Sequence, residues 1–350
     1  MYRIALFFLL LIFFQSCGKK KLYEDSVKTS DVQLSVSITR LENEMFKLKD
    51  TTEIRAFLDK YPDFSQQYLR RDKQRGDSLL VKAIYAMITN EFVDSAYHDV
   101  EKKFADFSGI KKDFEEAFKH IKHYYPDFNA PKIYTVVSGL GSFFGNDLYV
   151  SDSMIVVSLD FFMGKDARYR PPVEQMPNYI WRRYQPSSIV PGCVQYLSNR
   201  YNKTDEEDAS LIADMIYYGK ALHFVKTMMP SLPDSILTGY TTKELTQIDE
   251  NHISSKEDKK IARKNRDYIW TTLIEKKVLF STSHLDKNAY LNERPYVAEI
   301  NAKCPGKIGQ WLGWRIIQKY LEKNPKTTFQ EIMKNPDARE IFNKSGYKGD

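Results

Sequence analysis

The sequence predicts an α+β fold, mostly α-helical with one small central β-sheet. Apolar residues recur at helical spacing over much of residues 51–125 and again from 187 to the end. Between these stretches the period shortens. Ile133-Tyr134-Thr135-Val136-Val137, Leu148-Tyr149-Val150 and residues 154–159 are short runs rich in β-branched and aromatic residues. Prolines at 126, 171, 172, 177 and 186 separate the segments, because each removes a backbone donor and breaks a helix.

The first segment stands outside that fold. Arg3 precedes an unbroken apolar run over residues 4–14. Eleven residues at about 1.5 Å each reach about halfway across the hydrocarbon layer, too short for a permanent anchor. A basic start, a short apolar stretch and small residues at its end mark residues 1–16 as a secretory signal peptide. Its end, Gln15-Ser16-Cys17-Gly18, reads as a bacterial lipobox, with Phe14 where leucine is commoner. In that chemistry the Cys17 thiol receives diacylglycerol, the leader is cut, and the new amine takes a further acyl chain such as palmitate. Each buried CH₂ contributes about 0.8 kcal/mol, so several chains hold a domain far better than one. Lys19, Lys20 and Lys21 follow, each drawn to anionic headgroups by about 1 kcal/mol. Acidic residues of the kind that often mark surface export do not follow Cys17, so the anchor is expected to face the periplasm. Residues 17–35 are read as lipid anchor and flexible stalk, 36–130 as a helical lobe, and 131–350 as an α+β lobe.

Within the helical lobe, residues 38–45 form a short alternating or helical start. Helices are predicted over 51–70 and 77–98, the second with Leu79, Ala83, Met87 and Ile88 on its apolar face. Residues 113–125 place Phe114, Phe118, Ile121 and Tyr125 on one side before Pro126. Two strand-like runs flanking Asp152-Ser153 read as a hairpin. Residues 164–186 read mainly as loop. Leu211, Met215, Tyr218, Leu222, Val225 and Met229 then step along one helix face until Pro230. Thr241–Glu244 and Thr328–Glu331 have the spacing of capping boxes, in which hydroxyl and carboxylate satisfy the free amides at a helix start. Residues 256–266 form a charge-dense, solvated helix face.

The formal charge is +6, or +5 without residues 1–16, and is spread among many acidic residues, so no nucleic-acid footprint exists. Cys193 and Cys304 lie 111 residues apart and read more readily as buried thiols than as a disulfide. After the leader no apolar run is long enough to span a membrane.

Catalytic constellations are sparse. The zinc-peptidase motif His-Glu-x-x-His does not occur. His120 and His123, one turn apart with Asp127 nearby, could face one cation but read first as an exposed helical pair. The glycine-rich stretch 139–145 follows a strand, yet a phosphate loop must open a helix, and another strand follows here. No Gly-x-Ser-x-Gly elbow occurs, and Cys193 has no histidine close to it in sequence. No catalytic residue, metal site or cofactor is expected. Gly306, Gly309 and Gly313 would lie along one side of a helix and let another backbone approach, while Trp311 and Arg315 are spaced for a cation–π pair. The plainer reading is a buried helix–helix contact; the alternative is a groove edged by the tryptophans.

Asp214-Met215-Ile216-Tyr217-Tyr218-Gly219-Lys220 and Pro305-Gly306-Lys307-Ile308-Gly309-Gln310-Trp311-Leu312-Gly313-Trp314 bring a family into view. With Ser158-Leu159-Asp160-Phe161-Phe162, Gly239-Tyr240-Thr241 and Leu279-Phe280-Ser281-Thr282 in the same order, the chain resembles the gliding-motility lipoprotein GldB family of Bacteroidetes-type bacteria. The resemblance covers nearly the whole mature chain and is weakest before residue 120. It implies a part in gliding or its associated secretion machinery. It also implies a scaffold akin to gluzincin zinc peptidases, with a sheet edge, a His-Glu-x-x-His helix and a glutamate helix around a cleft. Residues 187–194 would be the first of those helices, without histidine or glutamate, and Asp214 alone would keep a carboxylate position. Catalytic Zn²⁺ takes about three protein ligands. The expectation is therefore a non-catalytic pseudo-peptidase, lipid-anchored in the envelope, that binds protein partners or peptide. Its candidate cleft lies between strand 154–159 and the helices of Asp214, Tyr217, Tyr218, Lys220, Gln310, Trp311, Trp314 and Arg315. The alternatives are a divergent envelope metallopeptidase or other hydrolase, and a glycan-binding protein stacking sugars on Tyr169, Tyr179, Trp181 and Tyr184.

Overall fold

A computed structural model describes residue 23 and residues 29–72 and 76–349. The signal peptide, Cys17 and the lysines after it lie outside the described residues, and the anchor-and-stalk segment 17–35 lies partly outside them. The expected α+β class holds: helices surround one four-stranded sheet.

The chain begins with strand β1 (Ile38–Arg40), a short helix α1 (Glu42–Met45), α2 (Thr51–Lys60) and α3 (Pro62–Gln67). The single helix expected over 51–70 is split because Pro62 takes the first position of a new one. Helices α4 (Ser78–Ile88) and α5 (Glu91–Lys103) replace the one expected over 77–98. Asn90 ends the continuity: its side chain accepts hydrogen bonds from the amides of Phe92 and Val93, which makes it the cap of α5. The apolar face of α4 also differs. Val81, Ile84, Met87 and Ile88 are buried, whereas Leu79 is 84% exposed. Both sets fit helical spacing, and only packing chooses between them. Helix α6 (Ser108–Tyr124) buries Phe114, Phe118 and Ile121 as expected.

Strands β2 (Lys132–Val136), β3 (Leu148–Val150) and β4 (Met154–Ser158) complete a sheet of order β1-β2-β4-β3. β1 and β4 run parallel to β2, with Arg40 opposite Thr135 and Thr135 opposite Val157. β3 runs antiparallel to β4, the expected hairpin, with Tyr149 opposite Val156. Strand 154–159 therefore offers no free edge for a partner. β4 is paired on both sides and wholly buried, and the edges are β1 and β3.

After a loop holding the short helix α7 (Asn178–Trp181) come α8 (Ile189–Ser198) and α9 (Leu211–Met228). α9 is buried nearly all round, as a helix at the centre of a bundle must be. α10 (Asp234–Thr238), α11 (Thr242–Ile248), α12 (Lys256–Glu275), α13 (His284–Leu291), α14 (Ile308–Lys323), α15 (Phe329–Lys334) and α16 (Ala338–Ser345) follow. Both expected capping boxes form, at Thr241–Glu244 and Thr328–Glu331. Among the described residues no helix is long and apolar enough to cross a membrane.

α14 crosses α9 at two glycines. A Cβ on Gly219 would lie 2.3 Å from the Gly313 carbonyl carbon, and one on Gly313 would lie 1.7 Å from the Met215 carbonyl oxygen. Neither position admits a side chain, so the backbones touch. Gly306 stands before the helix, not on it, where a Cβ would strike the Arg294 carbonyl oxygen at 2.0 Å.

Candidate functional site

The first turn of α9 begins at Ser210, whose hydroxyl accepts from the Ala213 amide. That cap aims Asp214 at the bundle surface. Lys287 of α13 meets it there, with Nζ 2.6 Å from Asp214 Oδ2 and 2.9 Å from the Ala209 carbonyl oxygen. Asp208, beside them, is worked against by burial. Hydrogen bonds from Ser210 and Arg339 outweigh that, so its carboxyl stays below its usual range. One helical turn after Asp214, the Tyr217 hydroxyl donates to Asn199 Oδ1 at 2.9 Å. Tyr218 stands edge-on to Tyr217, ring centroids 5.2 Å apart.

Lys220 is buried, and its Nζ donates to the carbonyl oxygens of Lys203, Met333 and Asn335. Burial lowers its pKa to about 8. The ammonium thus ties two surface loops to α9. Together these groups form a basin of about 360 Å³, lined among others by Lys203, Asp208, Asp214, Tyr217, Lys220 and Lys287.

The remaining residues of the expected cleft lie elsewhere. Trp311 and Trp314 are 1% and 2% exposed, so neither edges a groove. The glycine contact draws α14 so close to α9 that the flanking indoles are covered. Arg315 lies over the Trp311 ring, its guanidinium carbon 5.8 Å from the centroid, and donates to Gln318. Gln310 donates to the Leu291 carbonyl at 2.8 Å. Trp314 Nε1 donates to the Tyr23 hydroxyl at 2.8 Å, and that hydroxyl lies 2.8 Å from His223 Nδ1. Burial lowers the His223 pKa to about 3, so the ring that meets the Tyr23 hydroxyl is neutral. Asp214, Tyr217 and Lys220 thus line one basin, Gln310 and Trp311 line a small slot at the start of α14, and Trp314 meets the N-terminal segment. Sequence reasoning missed Lys287, Tyr23 and His223. Each stands more than 60 residues from its partner in the chain, and spacing carries no signal over such a distance.

His120 is buried on α6 with Nδ1 2.9 Å from its own helix, at the Glu116 carbonyl oxygen, whereas His123 is exposed. The exposed pair expected there is half corrected. Among the described residues no three His, Cys, Asp or Glu side chains gather as metal ligands would. Cys193 and Cys304 are free and buried, and burial pushes both thiols up. Trp181 is buried and stacks on Tyr184, which donates to Asp147, so these two rings pack under the loop.

The glycine-rich stretch does cradle an anion, but an internal one. The amides of Ser138 and Leu140 donate to the carboxylate of Asp160 at 3.3 and 2.6 Å. Gly139, Leu140 and Gly141 all have positive φ, which turns successive amides inward as an anion nest. Burial still raises the Asp160 pKa to about 6, although those amides oppose it.

Residues 23–349 match the family described as gliding motility protein GldB, and the chain belongs to that family. No curated protein and no solved structure matches it.

Proposed function

We propose that this member of the gliding motility GldB family is a non-catalytic, lipid-anchored envelope protein that binds a polar segment of a partner in the Asp214 basin. Membership supports a role in gliding motility. The observation that carries the binding reading is the partly exposed Asp214–Lys287 pair lining a 360 Å³ cavity with Tyr217. Opposed charges and an aromatic rim suit one or two polar side chains of a protein ligand.

The non-catalytic reading is supported by how the reactive groups are engaged. Lys220 holds three carbonyls, His223 is neutral against Tyr23, and the Cys193 thiol is buried and protonated. Each has a structural partner or environment that opposes proton transfer to a substrate. The anchor is supported by position. Tyr23 is the sixth residue after Cys17, and an extended chain of that length spans at most about 20 Å. Lipid on Cys17 would hold the α9–α14 face near the headgroups.

The binding test places a photo-crosslinking residue at Tyr217 in living cells, with and without Asp214→Lys. An adduct to an envelope protein that disappears on charge reversal, together with reduced colony spreading, supports the basin. An unchanged adduct and unchanged spreading would overturn it. Mass spectrometry of the mature amino terminus tests the anchor separately, and an unmodified Cys17 removes that part alone.

A further inference from the structure

We infer that the slot at the N-terminal end of α14 is a binding site for a small carboxylate, held between the Lys307 ammonium and the Trp311 indole N–H. It is separate from the Asp214 basin and does not rest on it. The slot is lined by Gln195, Thr238, Tyr240, Lys307, Gln310 and Trp311, with Leu222 and Leu237 behind. Its volume of about 30 Å³ holds two water-sized atoms, the number of oxygens in a carboxylate.

Trp311 is 1% exposed, and its Nε1 has no acceptor among the described residues. A buried indole N–H ordinarily finds one, because leaving it unpaired costs about 1–3 kcal/mol. Trp311 lines the slot. Water alone would satisfy the indole, but the charge around the slot calls for more. Arg182 is matched by Glu244, which it grips with one nitrogen 2.9 and 2.7 Å from the two carboxylate oxygens. Arg183 and Lys307 share the single carboxylate of Glu293, Lys307 at 3.0 Å. Three cations therefore face two carboxylates, leaving one positive charge uncompensated in a partly buried cluster. Tyr240, also packed there, donates its hydroxyl to the Gly306 carbonyl and stays neutral, and burial keeps the nearby Cys304 thiol protonated.

The helix start adds to the same field. α14 has neither a side-chain cap nor an acidic residue in its first turn, so its positive end is unmet among the described residues. Lys307 occupies the left-handed region at φ 57°, a conformation that costs a lysine energy glycine would not lose. Its Nζ reaches the Thr238 carbonyl at 3.2 Å as well as Glu293. Burial lowers the Lys307 pKa to about 8, with Arg183 and Arg182 adding to the fall and Glu293 opposing it.

The experiment uses the detergent-solubilised full chain with ¹⁵N-labelled tryptophan. Its four indole N–H signals are assigned by single Trp→Phe variants. Formate is titrated at pH 7 with ionic strength balanced by sodium sulfate. The expected result is a saturable shift of the Trp311 signal alone, at least tenfold weaker in Lys307→Met and in the native chain at pH 9.5. If Lys307→Met does not fold, the native chain at pH 9.5 carries the comparison. A short peptide with a free C-terminus is compared with its amide. Response to formate alone assigns the slot to free carboxylates, and response to the peptide acid but not its amide assigns it to chain ends. A Trp311 signal that moves with none of them, or moves equally in Lys307→Met, leaves a water-filled slot and overturns the inference.

Discussion

Tyr23 and Trp314 are 291 residues apart in the chain, yet the Trp314 indole N–H donates to the Tyr23 hydroxyl at 2.8 Å. The same hydroxyl is hydrogen-bonded to His223 Nδ1 at 2.8 Å, so one phenol satisfies two buried groups on α14 and α9. The rings also touch, with centroids 6.2 Å from Trp314 and 5.4 Å from His223. Tyr23 is thereby pinned to the core.

Tyr23→Phe keeps the ring and removes the link. Trp314 Nε1 and His223 Nδ1 are then buried without partners, each at a cost of about 1–3 kcal/mol. Calorimetry should show a midpoint lower by several degrees, and limited proteolysis should cut faster near residue 23. An unchanged midpoint with unchanged cleavage would mean the phenol contributes nothing.

Gly313→Ala is expected to separate α9 from α14. Its Cβ would stand 1.7 Å from the Met215 carbonyl oxygen, which is backbone and cannot swing aside. Overpacking of that kind costs about 3 kcal/mol or more. Gly109→Ala in α6 is the control. Nothing lies within 4 Å of its Cβ, and alanine favours a helix over glycine by up to about 1 kcal/mol. Urea unfolding should give opposite signs for the two substitutions.

Acid stability should carry two opposed slopes. The His223 pKa is about 3 in the fold and near 6.5 unfolded, so between those values only the unfolded chain binds the proton. Stability is then lost as pH falls, by about 1.4 kcal/mol per unit. Asp160, near 6 folded against 3.8 unfolded, binds its proton first in the fold and gains stability over pH 6 to 3.8. The stability difference between the native chain and His223→Gln should shrink with acid over that range. For Asp160→Asn it should grow. Denaturant midpoints at pH 6, 5 and 4 measure both, and parallel curves would refute the assignment.

The face of α4 is open to direct comparison. Leu79 is 84% exposed and Val81 is 1% exposed. Leu79→Lys should leave unfolding within about 0.5 kcal/mol of the parent. Val81→Ala should cost about 2 kcal/mol through the cavity it leaves. The reverse ranking would restore the helix face that spacing alone suggests.

Much of the fold was legible because its signals are local. A threonine three residues before a glutamate marks a helix start whatever lies beyond it, and both capping boxes formed. The Asp152-Ser153 hairpin and the apolar length of α9 were readable for the same reason. The face of α4 was not, since two stripes fit one period. The sequence left the tryptophans open between a buried contact and a groove edge because exposure depends on a neighbour: Gly313 reads as a permissive site, but only Met215 across the crossing shows how closely α9 covers the indoles.

By itself the sequence determined the α+β class, the family, the capped helices and the hairpin, all of which follow from contacts a few residues apart. Tertiary structure decided which side chains meet: Asp214 with Lys287, Lys307 with Glu293 beside Trp311, Tyr23 with His223 and Trp314. Two glycines let α14 lie against α9, and burial lowers the pKa of both His223 and Lys307.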